Sequence, residues 1–179
     1  NIKFGTLVDR DFPEYGFPSR QKIHDECDIL DEYFKFTEFH RSRGMEMEKF
    51  KVGSRKQFIL RHNPGKYKKL FEVRNLCANG IVWTGKGEKT KPMFSGDPEL
   101  FDENMNSCGF RIRYGDFSYY NCGDIPGGNF PLCKSLERDF ESYVSDVCGK
   151  ITVMKCDHHA ATDAVNMKLI AAADPEVFI

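Results

Sequence analysis

The chain has 179 residues and a net charge of −1, because 26 lysine and arginine side chains stand against 27 aspartate and glutamate side chains. Hydrophobic residues make up 40% of it and charged residues 30%, which is typical of a globular protein with one sizeable core. The balanced charge excludes an overall positive potential that would attract nucleic acid or a membrane surface, but it does not exclude a basic patch on one face. No apolar run approaches the roughly 20 residues of a membrane-spanning helix. We therefore predict a single domain over residues 1–179, without a membrane segment.

The first predicted elements are a strand and a long helix. The segment IKFGTLVDRDFPEYGFP predicts a strand that is followed by a loop rich in proline and glycine. Ser19 is a suitable N-cap residue for a helix, and apolar residues recur after it at helical spacing. We predict an amphipathic helix that begins at Ser19 and closes at Gly44.

The middle of the chain has the pattern of an antiparallel sheet. Four short segments rich in β-branched and aromatic residues are bounded by Gly, Asn or Pro, as in a meander. They are MEKFKVG, KQFILRH, LFEVRNLCANG and IVWTG. We predict that KGEKTKPMFSGDPELFDEN is a polar loop. The next segment, CGFRIRYGDFSYYNCGD, alternates on both sides of Tyr114-Gly115-Asp116, which predicts a hairpin that ends at Asp124.

The last part of the chain alternates between helices and strands. We predict a helix near Leu132 to Val147, a strand from Ile151 to Cys156 and a helix near Ala161 to Ala173. The segment EVFI then begins another strand. Together with the meander, these elements predict an α/β fold in which helices cover a layered sheet.

Two of the predicted strands end in side chains that bind metals in other proteins. Asp124 follows the hairpin, and His158 and His159 follow the strand that ends at Cys156. Side chains at the ends of neighbouring strands converge, because the sheet fixes their positions. A carboxylate and an imidazole are ligands that zinc prefers. The pattern therefore indicates a metal site, while a simple turn at Asp124 and a packed or surface histidine pair remain open alternatives.

Four motifs, in order along the chain, resemble those of a known family. They are N-x-N-S at Asn104 to Ser107, Tyr114-Gly115, Gly123-Asp124 and His158-His159. In this order they resemble the metallo-β-lactamase fold hydrolases, in the branch related to the ComEC-type competence protein. The resemblance covers roughly the last 75 residues, and the earlier part of the chain matches only loosely.

This resemblance implies the fold and a set of site residues. The fold would be the αββα sandwich of the family, of which this chain holds the central to C-terminal portion. Asp124 would bridge two metal ions, His158 would be a terminal ligand of one ion, and His159 would be a catalytic group that faces the substrate. The chain has Ala160 and Ala161 where the family has Gly-Ser, which leaves the class of substrate open.

The resemblance also implies an activity and a cofactor. It implies a metal-dependent hydrolase that cleaves a phosphodiester or related ester with a metal-activated water. The cofactor would be a pair of divalent ions, zinc first and manganese or iron as alternatives. The substrate would be a small-molecule or nucleic-acid phosphodiester. The family's H-x-H-x-D-H motif does not occur in this sequence, and its presence or absence upstream of Asn1 would separate an enzyme from a scaffold without catalysis.

Two other functions stay open at this point. The triplet Asp157-His158-His159 is similar to the signature of the DHH phosphoesterases of the RecJ type, in which the three residues act together with an upstream carboxylate such as Asp124. Alternatively, the chain is a lactamase-like scaffold that binds or assembles without catalysis. Replacement of Asp157 separates the first of these from the metallo-β-lactamase interpretation.

One basic segment lies apart from these motifs. RHNPGKYKKL concentrates Lys66, Lys68 and Lys69 around Tyr67, which is a pattern that can contact a phosphate backbone. A solvated charged turn has the same pattern and is the commoner case. The segment TGKGEKTKP lacks the spacing of a phosphate-binding P-loop and favours a solvated loop.

Overall fold

The structure is a computed structural model that describes residues 2–16, 19, 21, 23, 25, 29–97, 100–128 and 138–179. It confirms the predicted α/β class, because helices accompany a seven-stranded sheet. The chain divides into two compact units, Asn1–Phe50 with Asp97–Glu103 and Lys51–Gly96 with Asn104–Ile179. The single domain over residues 1–179 stays a prediction. No helix within the described ranges is long and apolar enough to cross a bilayer.

The first unit contains strands β1 (Thr6–Asp9) and β2 (Glu46–Lys49) and helix α1 (Leu30–Arg41). The prediction of β2 as part of an antiparallel meander is wrong, because β2 pairs with β1 in parallel. A parallel pair needs a crossover between its strands, and α1 provides that crossover. The predicted start of the helix, from Ser19 onward, falls in a stretch where several residues lie outside the described set.

The sheet of the second unit has seven strands in the order β5-β4-β3-β6-β7-β8-β9. Its strands are β3 (Phe71–Ala78), β4 (Ile81–Trp83), β5 (Thr90–Pro92), β6 (Gly109–Tyr114), β7 (Phe117–Asn121), β8 (Val153–Met154) and β9 (Val177–Phe178). The pairs from β5 to β7 are antiparallel, and β7, β8 and β9 are parallel. The sheet therefore changes its pairing mode at β7.

The helices of this unit are α2 (Pro64–Tyr67), α3 (Glu141–Cys148) and α4 (Met167–Ala173). Helix α3 corresponds to the helix predicted near Leu132 to Val147, of which residues 132–137 lie outside the described ranges. Helix α4 begins later than predicted. The side chain of Asn166 accepts a hydrogen bond of 2.8 Å from the Leu169 amide and so acts as its N-cap.

Two predictions for the middle of the chain are wrong. KQFILRH forms irregular backbone and no strand, and β3 has β4 and β6 as its two neighbours in the sheet. The segment predicted as a polar loop after IVWTG contains β5, which pairs with β4 from Thr90 opposite Trp83 to Pro92 opposite Ile81. The predicted hairpin is confirmed, since β6 and β7 join at Gly115 and Asp116.

The core of this unit lies against the middle of the sheet. The end of β3 is buried on both faces, as Leu76, Cys77 and Ala78 show. A Cβ atom on Gly109 of β6 would lie 2.4 Å from Cys122 Sγ and 2.5 Å from Cys77 Sγ. Only glycine fits there, and the two sulfur atoms lie 4.0 Å apart across it.

An arginine ties helix α3 to the sheet. Arg111 of β6 donates from Nη1 to the Cys148 carbonyl oxygen at 2.6 Å, at the last residue of α3. A cation is favourable at that end of a helix, where carbonyl groups point outward. Arg111 Nη2 also lies 3.4 Å from Glu72 Oε1, while burial lowers the pKa of the guanidinium. This contact places α3 beside the strands that lead to the predicted site.

Candidate functional site

Asp124 lies in a tight turn just after β7, as predicted. Asn121 Oδ1 accepts a hydrogen bond of 2.8 Å from the Gly123 amide, and Ser107 Oγ accepts one of 3.0 Å from the Asp124 amide. Gly123 has φ +65°, and a Cβ there would lie 2.8 Å from the Ser107 side chain. The turn therefore requires glycine at this position, and the two hydrogen bonds fix the backbone that carries the Asp124 carboxylate.

The two histidines lie on an unusual turn that follows β8. Residues Asp157–Ala160 form a tight turn in which His158, His159 and Ala160 have left-handed backbone, with φ values of 45°, 53° and 56°. Left-handed backbone costs about 1–2 kcal/mol for each residue with a Cβ atom. The His158 amide donates to the Gly123 carbonyl oxygen at 3.1 Å, so this strained turn lies against the Asp124 turn. Strain of this kind concentrates at functional sites.

The structure brings Asp124 together with His159. The Nε2 atom of His159 lies 3.4 Å from Asp124 Oδ2, and the His159 side chain is 78% exposed. Lys155 Nζ lies 3.5 Å from Asp124 Oδ1 and donates to the carbonyl oxygens of Gly123 and Cys156 at 2.8 and 2.9 Å. The Asp124 carboxylate therefore has one imidazole and one ammonium group as neighbours.

The side chain of His158 has different partners. Its Nδ1 lies 3.0 Å from Asp163 Oδ1, and its Nε2 lies 3.3 Å from Asn104 Nδ2. An amide nitrogen only donates, so Nε2 is the acceptor and Nδ1 carries the proton that is donated to Asp163. A carboxylate that orients a histidine in this way is the usual support of a metal-binding imidazole. The lone pair that a metal would use faces Asn104 in the structure.

Asp157 supports the turn from the interior. It is fully buried, and Tyr120 donates a hydrogen bond of 2.7 Å to its Oδ2, while Oδ1 has no hydrogen-bond partner within the described part of the chain. Burial raises the pKa of Asp157 well above its ordinary value, and the negative charge of the nearby Glu141 raises it further. The carboxylate therefore points into the protein and away from the exposed His159 side chain.

Glu141 at the start of α3 is a second buried carboxylate. It accepts hydrogen bonds of 2.6 and 2.5 Å from the amides of Val165 and Asn166. Burial raises its pKa to about 7. A Cβ on Gly127 would lie 2.3 Å from Glu141 Oε2, so glycine is needed for this close approach. Glu141 thereby fixes the loop that follows the histidines.

The donors at this site suit a metal ion in kind but not in number. Asp124, His158 and His159 offer oxygen and nitrogen atoms of the types that zinc binds, but zinc needs about four ligands, of which a catalytic site leaves one for water. Among the residues that the structure describes, no group of three or more His, Cys, Asp or Glu side chains is arranged to hold an ion. A zinc ion at this site would therefore need further ligands from outside the described residues.

Several residues of the site were not singled out by the sequence. Lys155, Asp163 and Tyr120 reach it through contacts that depend on how β7 and β8 pair, and no local motif marks them. Asn104 and Ser107 belong to a motif that the sequence analysis identified, and both contact the site. Comparison with known protein families and with curated proteins finds no match for this chain.

Proposed function

We propose that this chain forms part of a metal-dependent hydrolase with the metallo-β-lactamase αββα fold, and that it cleaves a phosphodiester or related ester. The observation that carries the proposal is the meeting of two strand ends, where Asp124 Oδ2 lies 3.4 Å from His159 Nε2. The mixed sheet supports the fold, because β7, β8 and β9 are parallel and the helices between them, α3 and α4, pack on each other.

In this proposal Asp124 and His158 would hold the metal, with a zinc pair as the first candidate, together with ligands from outside the described residues. Asp163 keeps the Nδ1 proton of His158 in place, so the Nε2 lone pair would be the metal donor, and the Asn104 amide, 3.3 Å from Nε2, would have to turn away from it. A bound metal pair would make hydroxide available at neutral pH and polarise the ester. His159 is exposed beside Asp124, and its imidazolium would donate a proton to the oxygen of the leaving group.

The proposal is tested by metal content, without reference to activity. We expect the complete hydrolase, with the ligands that lie outside the described residues present, to retain close to two metal ions after equilibration with zinc or manganese and desalting, and its Asp124→Ala variant to lose at least one ion per chain by elemental analysis. Asp116→Ala is the control, because this carboxylate lies in the exposed turn between β6 and β7. Equal metal content in wild type and Asp124→Ala would refute the proposal, and a wild type without metal would favour a non-catalytic binding module.

The DHH alternative is tested by Asp157→Ala in the same assay, with Asp157→Asn as a variant that keeps the volume of the side chain. We expect both variants to retain their metal, because the Asp157 carboxylate is buried and bonded to Tyr120. Circular dichroism identifies a variant that fails to fold. Loss of all metal from a folded Asp157→Asn protein would support the DHH interpretation instead.

A further inference from the structure

The second unit contains a cavity of about 700 Å³ that is separate from the histidine site. Its walls come from the irregular segment around residues 55–60, from α2, from the start of β3 and from the turn at Gly115. Gly115 joins β6 to β7, whereas Asp124 follows the opposite end of β7. At about 3.3 Å for each strand residue, the two places lie on the order of 20 Å apart.

The lining of this cavity carries an excess of positive charge. Its only carboxylate among the described residues is Glu72, whose oxygens lie 3.3 Å from Arg74 Nη2 and 3.4 Å from Arg111 Nη2. Both of those arginines lie outside the lining. Five cationic side chains line the cavity, and all five are exposed: Arg55, Lys56, Lys68, Lys69 and Arg113. Their charge is therefore not balanced by the wall and is available to an anion.

The same walls offer aromatic and apolar surface. Tyr67 lines the cavity, its ring centre lies 6.2 Å from that of Tyr114, and Lys66 Nζ lies 5.1 Å from the Tyr67 ring centre. Ile59 and Leu70 also line it, with 68% and 47% of their surface exposed. Exposed apolar side chains beside an aromatic ring give a flat base a surface on which to stack.

We propose that this cavity binds a short segment of single-stranded nucleic acid. The cations hold successive phosphates, and Tyr67 stacks on a base. Five unbalanced cations exceed the charge of one phosphate group, which favours a strand over a single nucleotide. The aromatic and apolar wall favours a strand over an acidic peptide, whose side chains have no ring to stack. This inference is independent of the proposed hydrolase, because it concerns other residues at the other end of the hairpin.

The charge part of the proposal is tested by fluorescence anisotropy with a labelled uridine oligonucleotide of about 12 residues. We expect Lys68→Glu/Lys69→Glu to weaken binding by roughly tenfold or more and to reduce the slope of log K against log salt by about 1.4. The matched control is Lys86→Glu/Lys89→Glu, which makes the same charge change on exposed residues of the β4–β5 loop. The control should bind within about twofold of wild type.

The stacking part is tested by Tyr67→Leu. We expect weaker binding of the oligonucleotide and an unchanged salt slope, because no charge is removed. Circular dichroism confirms that each variant folds. Three results would overturn the proposal: no binding by the wild type, equal weakening by both lysine pairs, or displacement of the oligonucleotide by ADP or polyglutamate as readily as by unlabelled strand.

Discussion

At the scale of single residues, Gly109 shows how one missing side chain determines the packing of three strands. It lies on β6 between Cys77, at the end of β3, and Cys122, just after β7. Both cysteines are fully buried, and their sulfur atoms approach to 4.0 Å. A buried thiol packs as a small apolar group, so this contact belongs to the core.

Replacing Gly109 with alanine should destabilise the protein. The new Cβ would lie 2.4 and 2.5 Å from the two sulfur atoms, and the strands would have to shift to admit it. We expect a loss of about 1–3 kcal/mol in the free energy of unfolding, measured by urea denaturation. Gly65→Ala is the control, because a Cβ there meets no atom within 4 Å. A Gly109→Ala protein as stable as this control would contradict the packing argument.

The sequence singled out the candidate site residues but not the side chains that contact them. Asp124, His158 and His159 stand out, because charged or polar residues directly follow apolar strand patterns. Their supporting residues do not stand out, since Lys155 is one lysine among many and Tyr120 is one aromatic residue in an alternating strand. These side chains acquire their roles only when β7 and β8 pair in parallel, which is a long-range event that local patterns do not encode.

At the scale of secondary-structure elements, the histidine turn depends on β7. The hydroxyl of Tyr120, in the middle of that strand, donates to Asp157 at the start of the turn, and the His158 amide bonds to Gly123 after the strand. These contacts fix three consecutive left-handed residues that would be unfavourable on their own. The strain of the turn is thus offset by the strand beside it.

We therefore expect Tyr120→Phe to destabilise the protein by about 1–3 kcal/mol, because it removes the hydroxyl that donates to the buried Asp157 carboxylate. Urea denaturation measures the effect. Tyr119→Phe is the comparison, because the Tyr119 hydroxyl accepts only a 3.4 Å hydrogen bond; an equal loss there would argue against this role of Tyr120.

Local signals predicted the β6–β7 hairpin correctly and missed two other strand pairings. The hairpin has clean alternation and a glycine in its turn, so its register follows from nearby residues. The parallel pairing of β1 with β2 and the short β5 have no such signal. β5 consists of Thr90, Lys91 and Pro92, which is a polar composition typical of a loop, and only pairing with β4 makes it a strand.

At the scale of the whole molecule, the two buried carboxylates make stability depend on pH. Glu141 and Asp157 are both fully buried, and burial raises the pKa of each. Between the ordinary pKa of 4.5 and the folded value of about 7, Glu141 binds more protons in the folded chain than in the unfolded chain. The corresponding stabilisation is complete below pH 4.5 and is lost as the pH rises through about 7.

Glu141→Gln should remove this dependence. The side-chain amide of glutamine places an N–H donor against the backbone N–H of Val165 or Asn166. This contact between two donors lowers stability at every pH, but the glutamine side chain does not titrate. Relative to wild type, the variant should therefore gain about 2 kcal/mol in the free energy of unfolding between pH 5 and pH 8. Urea denaturation across this interval gives the difference directly. A constant difference between the two proteins would show that Glu141 does not titrate there.

The two outer strands of the sheet, β5 and β9, differ in how they meet solvent. β5 carries Lys91 and Pro92, and proline has no amide hydrogen to offer to an incoming chain. β9 consists of Val177 and Phe178, which are 47% and 45% exposed. Lys91 and Pro92 therefore deter strand addition at the β5 edge, where an incoming chain would meet a charge and a residue without an amide hydrogen. When the protein is concentrated, we expect self-association through this edge to be disfavoured.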